Sequence, residues 1–486
     1  MAKGGCGTLM ATASASFILL MGWAASVSGG VDPAAITLRE AKRNGASTRV
    51  QTELKAKGLY RPGLPPGDAS ALGKMPKPLQ VEIETRFVFN ERLVAIDPAG
   101  TVGSVSIDHV SGADQPGNRG AQRVVRHVIQ AASAINGEVR LTSALIRPEV
   151  RLLVAERRNG DGSVVVVSPA GPLTWYELEL LQGLGDPLVL GDLLPDRPVR
   201  VGDRWRVRDA GAQALSEYDS LTSNKLEATL ESADAPKARI RLKGQIQGSA
   251  RGGVGKMSCE GFLTFDLNAA LVDHLDLNRV ESRQAGPVEA GLDIKSTLTV
   301  TRQPAEPPPE LSDRALAGIP LEITPERELL RLSTPSGKAI LLHDRHWHMF
   351  WEDPKLIVLK RLNGGQVIAQ CNLMVGPDAG KGRHQDPTQF RDDIRRALKQ
   401  RFVQFLGAGE IDGNPAGGFR YKVGVQGREG KLGIVWYYFL IAGPEGDQLL
   451  ATYTLAEDHV QVFGEQDLLM IGSLKWQKRM QPVSRD

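Results

Sequence analysis

The sequence predicts an α+β fold in two parts, a β-rich antiparallel first domain followed by an α+β sandwich. Three observations predict it. Short runs that alternate apolar and polar residues dominate the chain up to Arg302, the pattern of half-buried strands. Two stretches nearer the C-terminus, Thr388–Leu406 and His459–Leu474, carry apolar residues at helical spacing instead. Between these regions lies Thr301-Arg-Gln-Pro-Ala-Glu-Pro-Pro-Pro-Glu310, whose proline content favours an extended, semi-rigid spacer. The expected division is a signal segment over 1–29, a poorly ordered leader over 30–77, the β-rich domain over 78–302, a proline-rich linker over 303–320 and the sandwich domain over 321–478.

In the first domain, alternation begins at Leu79, with Leu79, Val81, Ile83 and Thr85 on one face, and Val105, Ile107 and His109 suggest a further strand. Arg123–Ile135 reads as a helix, because Val124, Val128, Ala131, Ala132 and Ile135 recur at helical spacing before Gly137. Val150–Glu156 and Ser163–Ser168 read as strands joined by the turn Asn159-Gly-Asp-Gly162. Pro172-Leu-Thr174 opens a short helix, and Thr174 with Glu177 has capping-box spacing. Four strands then follow: Leu226–Leu230, Ala238–Ile246, Gly261–Asp266 and Leu292–Val300, with Gly252-Gly253 as a turn between two of them.

The second domain reads as strands at Ala339–Leu342, Leu356–Arg361, Gln366–Val375, Arg420–Val425, Leu432–Ala442 and Gln448–Leu455. In Trp436-Tyr-Tyr-Phe439 residues 436 and 438 face one side of a strand and 437 and 439 the other; one face is expected to be core, and the other either core as well or the lining of a groove.

The first thirty residues predict export. Lys3 is the only charged side chain before Asp32, the densest apolar run is Phe17–Ala25, and Ser26–Gly30 are mostly small. That order of charge, apolar core and small-residue exit is the pattern of a secretory signal, with cleavage expected near Ser28 or Gly29 and a retained membrane anchor as the alternative. Cys6 precedes the apolar core, so it is not placed as a lipoprotein acceptor, and no membrane span is expected after cleavage. The expected location is periplasmic or extracellular. Lys plus Arg total 59 against 56 for Asp plus Glu, a balance of +3 that falls to +2 without Lys3. This excludes the strongly basic footprint of a nucleic-acid binder. Cys259 and Cys371 remain after cleavage; separate buried thiols are expected, with an interdomain bridge as the alternative.

No catalytic, cofactor-binding or metal-ligating residue is assigned. There is no Gly-x-Ser-x-Gly elbow, no His-Glu-x-x-His and no Cys-x-x-Cys. Gly376–Gly382 lacks the glycine spacing and the Ser/Thr of a phosphate loop and reads as a surface loop. Asp392-Asp393 and Glu457-Asp458 sit near expected helix starts, where anions suit the dipole. The one local concentration of ligand-type side chains is His343-Asp-Arg-His-Trp-His348. If this piece is extended, His346 and His348 share a face, and a metal bridging them with His343 or Asp344 is the alternative function.

Two resemblances complete the picture. Gly424-Val, Val435-Trp-Tyr-Tyr-Phe-Leu-Ile-Ala442, Leu450-Ala-Thr-Tyr-Thr-Leu455, Phe463 and Asp467-Leu-Leu-Met-Ile-Gly-Ser-Leu474 resemble the closing strands and last helix of Mog1/PsbP-like domains. The resemblance implies an α/β/α sandwich used as a binding or assembly module. Leu145-Ile-Arg-Pro-Glu-Val-Arg-Leu152, Pro172-Leu-Thr-Trp-Tyr-Glu-Leu-Glu-Leu180, Leu194-Pro-Asp196, Val201-Gly-Asp-Arg-Trp205 and His343-Asp-Arg-His-Trp347 resemble an exported family of unknown function from planctomycete-type bacteria. That resemblance implies no activity. The expectation is an exported, non-enzymatic protein whose second domain binds a protein, lipid or other apolar partner, without cofactor. Mass mapping of the chain recovered from an envelope fraction is expected to place its N-terminus close to Ser28 or Gly29; an intact Met1 terminus would refute cleavage.

Overall fold

The structure, a computed structural model, describes residues 35–41, 43–62, 77–94, 122–142, 145–158, 163–411 and 418–477. The signal segment and the strand expected around Val105, Ile107 and His109 lie outside the described residues. The α+β expectation is overturned: the fold is mostly β, built on antiparallel sheets of thirteen, three and seven strands among the described residues.

The first sheet comprises β1 (Ser47–Arg61), β2 (Leu79–Val94), β3 (Gln122–Ile135), β4 (Glu138–Thr142), β5 (Leu152–Arg157), β6 (Val164–Val167), β7 (Arg204–Arg206), β8 (Ser220–Asn224), β9 (Glu227–Asp234), β10 (Lys237–Ala250), β11 (Gly253–Asp266), β12 (Leu271–Arg283) and β13 (Gly291–Pro304). Its main path runs β6-β5-β3-β2-β1-β13-β12-β11-β10-β9-β7, with β4 on β3 and β8 on β10. In β10, Ala238, Ile240, Leu242 and Ile246 are buried while Arg239, Arg241, Lys243 and Gln245 face outward. The sheet bends hard where the inner face carries glycine. A Cβ on Gly58, Gly244 or Gly261 would lie 2.0, 2.1 and 2.1 Å from a backbone oxygen of the adjoining segment, so no larger residue tolerates that approach.

Within this curved sheet lies a helical segment, α1 (Trp175–Leu181), α2 (Pro187–Leu190) and α3 (Asp209–Ser216). Its Leu178, Leu181, Leu188, Leu190 and Leu215 join Phe89, Val128, Leu242, Leu263 and Leu298 of the strands in one core. Buried charges fix it there. Arg126, 1% exposed, donates to both oxygens of Asp186 at 2.7 and 2.8 Å and to Glu91 at 3.3 Å. Burial opposes the Arg126 charge, but these two carboxylates outweigh it and raise its proton affinity. Arg302 extends the network to Glu40 at 2.5 Å, and Arg157 with Arg208 hold Asp192 at 2.8 and 3.1 Å.

The structure corrects the helix expected at Arg123–Ile135, which is β3. Val124, Arg126 and Val128 point inward, a bulge opposite Val88/Phe89 inserts the half-exposed Ile129, and the inward phase resumes at Ala131. One extra residue thus turns a period of two into the spacing 124, 128, 131, which mimics a helix. The leader is corrected too, since β1 lies inside it and is central, paired with β2 on one side and β13 on the other. Its polar sequence carries few buried positions, Val50 and Ala56 among them, so alternation alone does not reveal it. Nor is the proline-rich stretch a free spacer. Pro304 ends β13, and α4 (Asp313–Leu316) and α5 (Pro325–Glu328) follow. Leu311 and Leu321 are buried against Val125, Val154, Val165 and Val167 on the outer face of the sheet, and the Arg92 guanidinium donates to the Leu311 carbonyl at 2.7 Å.

The second part contains β14 (Leu330–Ser333), β15 (Ala339–His343), β16 (Trp347–Glu352), β17 (Leu356–Asn363), β18 (Gln366–Val375), α6 (Pro387–Leu398), β19 (Phe402–Glu410), β20 (Phe419–Glu429), β21 (Leu432–Ala442), β22 (Gln448–Ala456), α7 (Val460–Phe463), α8 (Gln466–Gly472) and β23 (Lys475–Trp476). Its large sheet runs β16-β17-β18-β22-β21-β20-β19; β14-β15-β23 form the small one. The helix expected over Thr388–Leu406 stops at Leu398, where Lys399 takes a φ of 51°, and Phe402 begins a strand. Phe402 and Phe405 still pack beside Phe390 and Ile394, which is why they continued the helical spacing. The helix expected over His459–Leu474 is broken at Gly464, which has a φ of 59°. Asp392-Asp393 lie within α6, away from its start. So little helix remains that the layers are a β-dominated domain and not an α/β/α sandwich. Both faces of the aromatic strand are core: Trp436 and Tyr438 pack with α6, Tyr437 and Phe439 with Phe463 of α7.

Replacing Arg126 by Met leaves Asp186 without its counter-charge, while Glu91 keeps only Arg302 at 3.8 Å. The expected loss is about 3–5 kcal/mol of unfolding free energy by urea titration; a change below about 1 kcal/mol would show that the network does not anchor the helical segment.

Candidate functional site

The inserted helices leave a cleft at one end of the curved sheet. Thr174 caps α1, accepting from the Glu177 N–H at 3.1 Å, while the Glu177 carboxylate accepts from the Thr174 N–H at 2.8 Å, completing the expected capping box. Glu177 also holds the Arg147 guanidinium at 2.9 and 3.0 Å. This rigid start sets Trp175, Leu178 and Glu179 along one wall. The opposite wall comes from α3 and the residues after it, Ala210, Gln213, Ala214, Glu217, Tyr218 and Asp219. The turn from β10 to β11 brings Arg251, and Arg283 and Glu289 close the floor. The cavity holds about 440 Å³, within the size of small-molecule sites.

Arg251 organises the charges. Its guanidinium pairs with Glu289, lies 3.9 Å from Glu179, and stands 5.2 Å from the centre of the Trp175 ring. Its backbone N–H donates to the Asp219 carboxylate at 2.5 Å. Burial raises the proton affinity of Glu179; Arg251 opposes this, and Glu289 and Glu217 add to it. Burial likewise raises Asp219 and Glu281. Glu179 is 39% exposed by side-chain area, so solvent screens its charge. Below the cleft floor, Arg279 and Glu281 are almost fully buried, with nitrogen and oxygen 3.6 Å apart.

The second domain forms part of the surroundings. Trp175 meets His348 edge-on at 5.4 Å between ring centres, and the Tyr176 hydroxyl donates to Glu352. Arg345 crosses to the Val166 carbonyl at 2.5 Å, and Lys360 donates to the Pro287 carbonyl at 2.8 Å.

The structure does not bring the histidine cluster together as a ligand set. Among the described residues no group of three His, Cys, Asp or Glu side chains is placed to hold a metal. His343 is buried with Nδ1 2.7 Å from the Asp344 carbonyl, Asp344 binds Arg361 at 2.6 Å, and His346 is exposed. Cys259 and Cys371 are separate, buried free thiols. The residues quoted for the exported-family resemblance instead do structural work, as with Arg147, Thr174, Glu177, Arg345 and Trp205, whose indole N–H donates to the Leu193 carbonyl at 2.9 Å. No sequence motif marks the cleft residues as a site. The legible signals near them are the Thr174 cap and the Gly252-Gly253 turn, which long-range strand pairing brings to the same part of the fold.

No family profile matches the chain, and no curated protein matches it. Solved structures resemble it in part. One from Bacteroides thetaiotaomicron has 7% identity over 31% of this chain and 48% of its own, with a TM-score of 0.24. A structure of lipovitellin concerned with its lipid–protein interactions has 6% identity over 55% of this chain and 26% of its own, with a TM-score of 0.28. Pseudomonas aeruginosa OccK2 in complex with glucuronate has 8% identity over 85% of this chain and 100% of its own, with a TM-score of 0.13. The chain spans about half the length of the first of these structures and about a quarter of lipovitellin. Likenesses at this level identify no family and carry no functional assignment.

Burial, with Arg251 adding to it, lowers the His348 pKa from 6.5 to about 4. A base with a depressed pKa takes up its proton on unfolding, so its contribution to stability falls as pH drops from 6.5 towards about 4. Glu179, Asp219 and Glu281, with raised pKa values, act in the opposite sense. The difference between wild type and His348→Gln isolates the histidine: wild type is expected to lose more unfolding free energy than the variant across that window, and parallel curves would refute it.

Proposed function

We propose that this chain is an exported, non-enzymatic binding protein of the cell envelope that takes a small amphipathic or apolar ligand. The observation that carries this is the cleft beside α1 and α3. Trp175, Leu178, Val164, Val189 and Ala214 offer apolar surface along it, while charged side chains gather at Arg251 and Glu289. Apolar walls with a few convergent polar groups are the usual make-up of a small-molecule site. The N-terminal signal pattern supports export, and the first-domain cleft, rather than the second domain, is the proposed binding element.

Ala214 lines the cleft from α3, so a phenylalanine there fills it. Calorimetric titration of the mature protein with decanol is expected to give saturable binding that Ala214→Phe weakens at least tenfold. Equal binding by the variant would remove the cleft as the site, and no binding by wild type would remove the proposal.

A further inference from the structure

We propose that the edge of the second domain formed by α6 and β19 rests on an anionic phospholipid surface. The proposal is independent of the cleft, which lies in the first domain. β19 is the last strand of the seven-stranded sheet, paired with β20 on one side and with no strand on the other among the described residues. Such edges are normally blunted by bulges and by charged side chains, which keep other strands away. β19 has the bulges, yet the residues left over at them are apolar. Its register with β20 skips Val403 and then Leu406, and these side chains are 51% and 52% exposed. Two breaks so close together interrupt the ladder of hydrogen bonds that an added strand would need. The edge is thus shaped against strand addition while it keeps branched apolar side chains in solvent. A bilayer surface takes up such side chains without requiring a ladder.

Charge selects the kind of surface. The run from Arg391 to Leu406 carries five cations, Arg391, Arg395, Arg396, Lys399 and Arg401, against Asp392 and Asp393. Its excess of three equals the formal charge of the whole chain, +3, so the net charge of the molecule is matched by this one edge. Arg396 pairs with Asp393, and Arg401 pairs at 2.9 Å with Glu429 at the end of β20. Arg391, Arg395 and Lys399 have no ion-pair partner among the described residues, and Asp392 is the acid of α6 that also has none, which leaves an excess of two. Two of these cations stand over the rings that precede the bulges. Arg391 lies 4.9 Å from the centre of Phe405, and Arg395 lies 5.1 Å from Phe405 and 5.3 Å from Phe402. Phe402 and Phe405 come immediately before Val403 and Leu406, so the cations and the exposed apolar side chains share one edge. Anionic headgroups over acyl chains present the complementary order, and a basic, partly apolar surface gains from both. A second copy of this edge would instead bring like charges together.

The test is flotation of the mature protein with vesicles of phosphatidylcholine alone and of equal parts phosphatidylcholine and phosphatidylglycerol. Binding to the anionic vesicles is expected to be at least tenfold tighter and to weaken in high salt. Arg395→Gln combined with Lys399→Gln is expected to reduce it at least fivefold. Val403→Ser combined with Leu406→Ser changes only exposed side chains and should reduce it to a similar extent. Lys256→Gln combined with Lys295→Gln removes the same charge from exposed positions of the first domain and should leave binding within twofold of wild type. Equal binding to both kinds of vesicle, or binding to neither, overturns the proposal. An equal loss in the first-domain variant would mean attraction by net charge alone and overturns it too. Sedimentation of the lipid-free protein as a dimer that Leu406→Ser dissociates would make the occupant a second copy, with the same consequence.

Discussion

Everything in the first domain depends on holding a helical segment against the inner face of a sheet that bends around it. Leucines supply most of the favourable burial, but leucine packing is non-directional and would accept many placements of α1, α2 and α3. Arg126 is directional. Its fork reaches Asp186, just before α2, and Glu91 on β2, so α2 and two strands are fixed to one point. Such bidentate pairs give geometric specificity as well as energy. Arg157, Arg208 and Asp192 repeat the device one turn further along. The arginines and aspartates scattered through this part of the sequence are therefore mostly fasteners.

This arrangement also explains where the cleft lies. The fasteners hold the middle of the helical segment, and the cleft opens towards the β10–β11 turn. At that end the inward positions of β12 change from Leu275 and Leu277 to Arg279, Glu281 and Arg283. The floor becomes charged while the α1 wall stays apolar. The second domain contacts this part of the first through His348, Lys360 and Arg345.

Much of the strand layout was legible because most strands alternate cleanly; Gln366–Val375 and Leu432–Ala442 match to the residue. The failures have physical causes. A single bulge at Ile129 gave β3 a helical period, and the packing of Phe402 and Phe405 beside α6 extended a helix that had ended. β1 escaped because a central strand in a curved sheet need not be strongly apolar when its neighbours supply the burial. The buried proline-rich strap at Leu311 and Leu321 reads as a spacer, since composition cannot show that two leucines find an apolar face. The cleft was illegible for a related reason. Trp175, Tyr218, Arg251 and Glu289 come from four separate segments, and their charges have meaning only together.

The place of β1 has one more consequence. Val50 lies opposite Arg302, 252 positions further along the chain, and opposite Phe89 on its other side. A ribosome delivers β1 and β2 long before β13 exists, so one flank of the sheet must wait for almost the whole domain to emerge. Pairings between such distant residues close slowly. The early strands remain an open hairpin edge throughout that interval, and a chain moved through a narrow channel during it would carry no finished sheet that had to be undone.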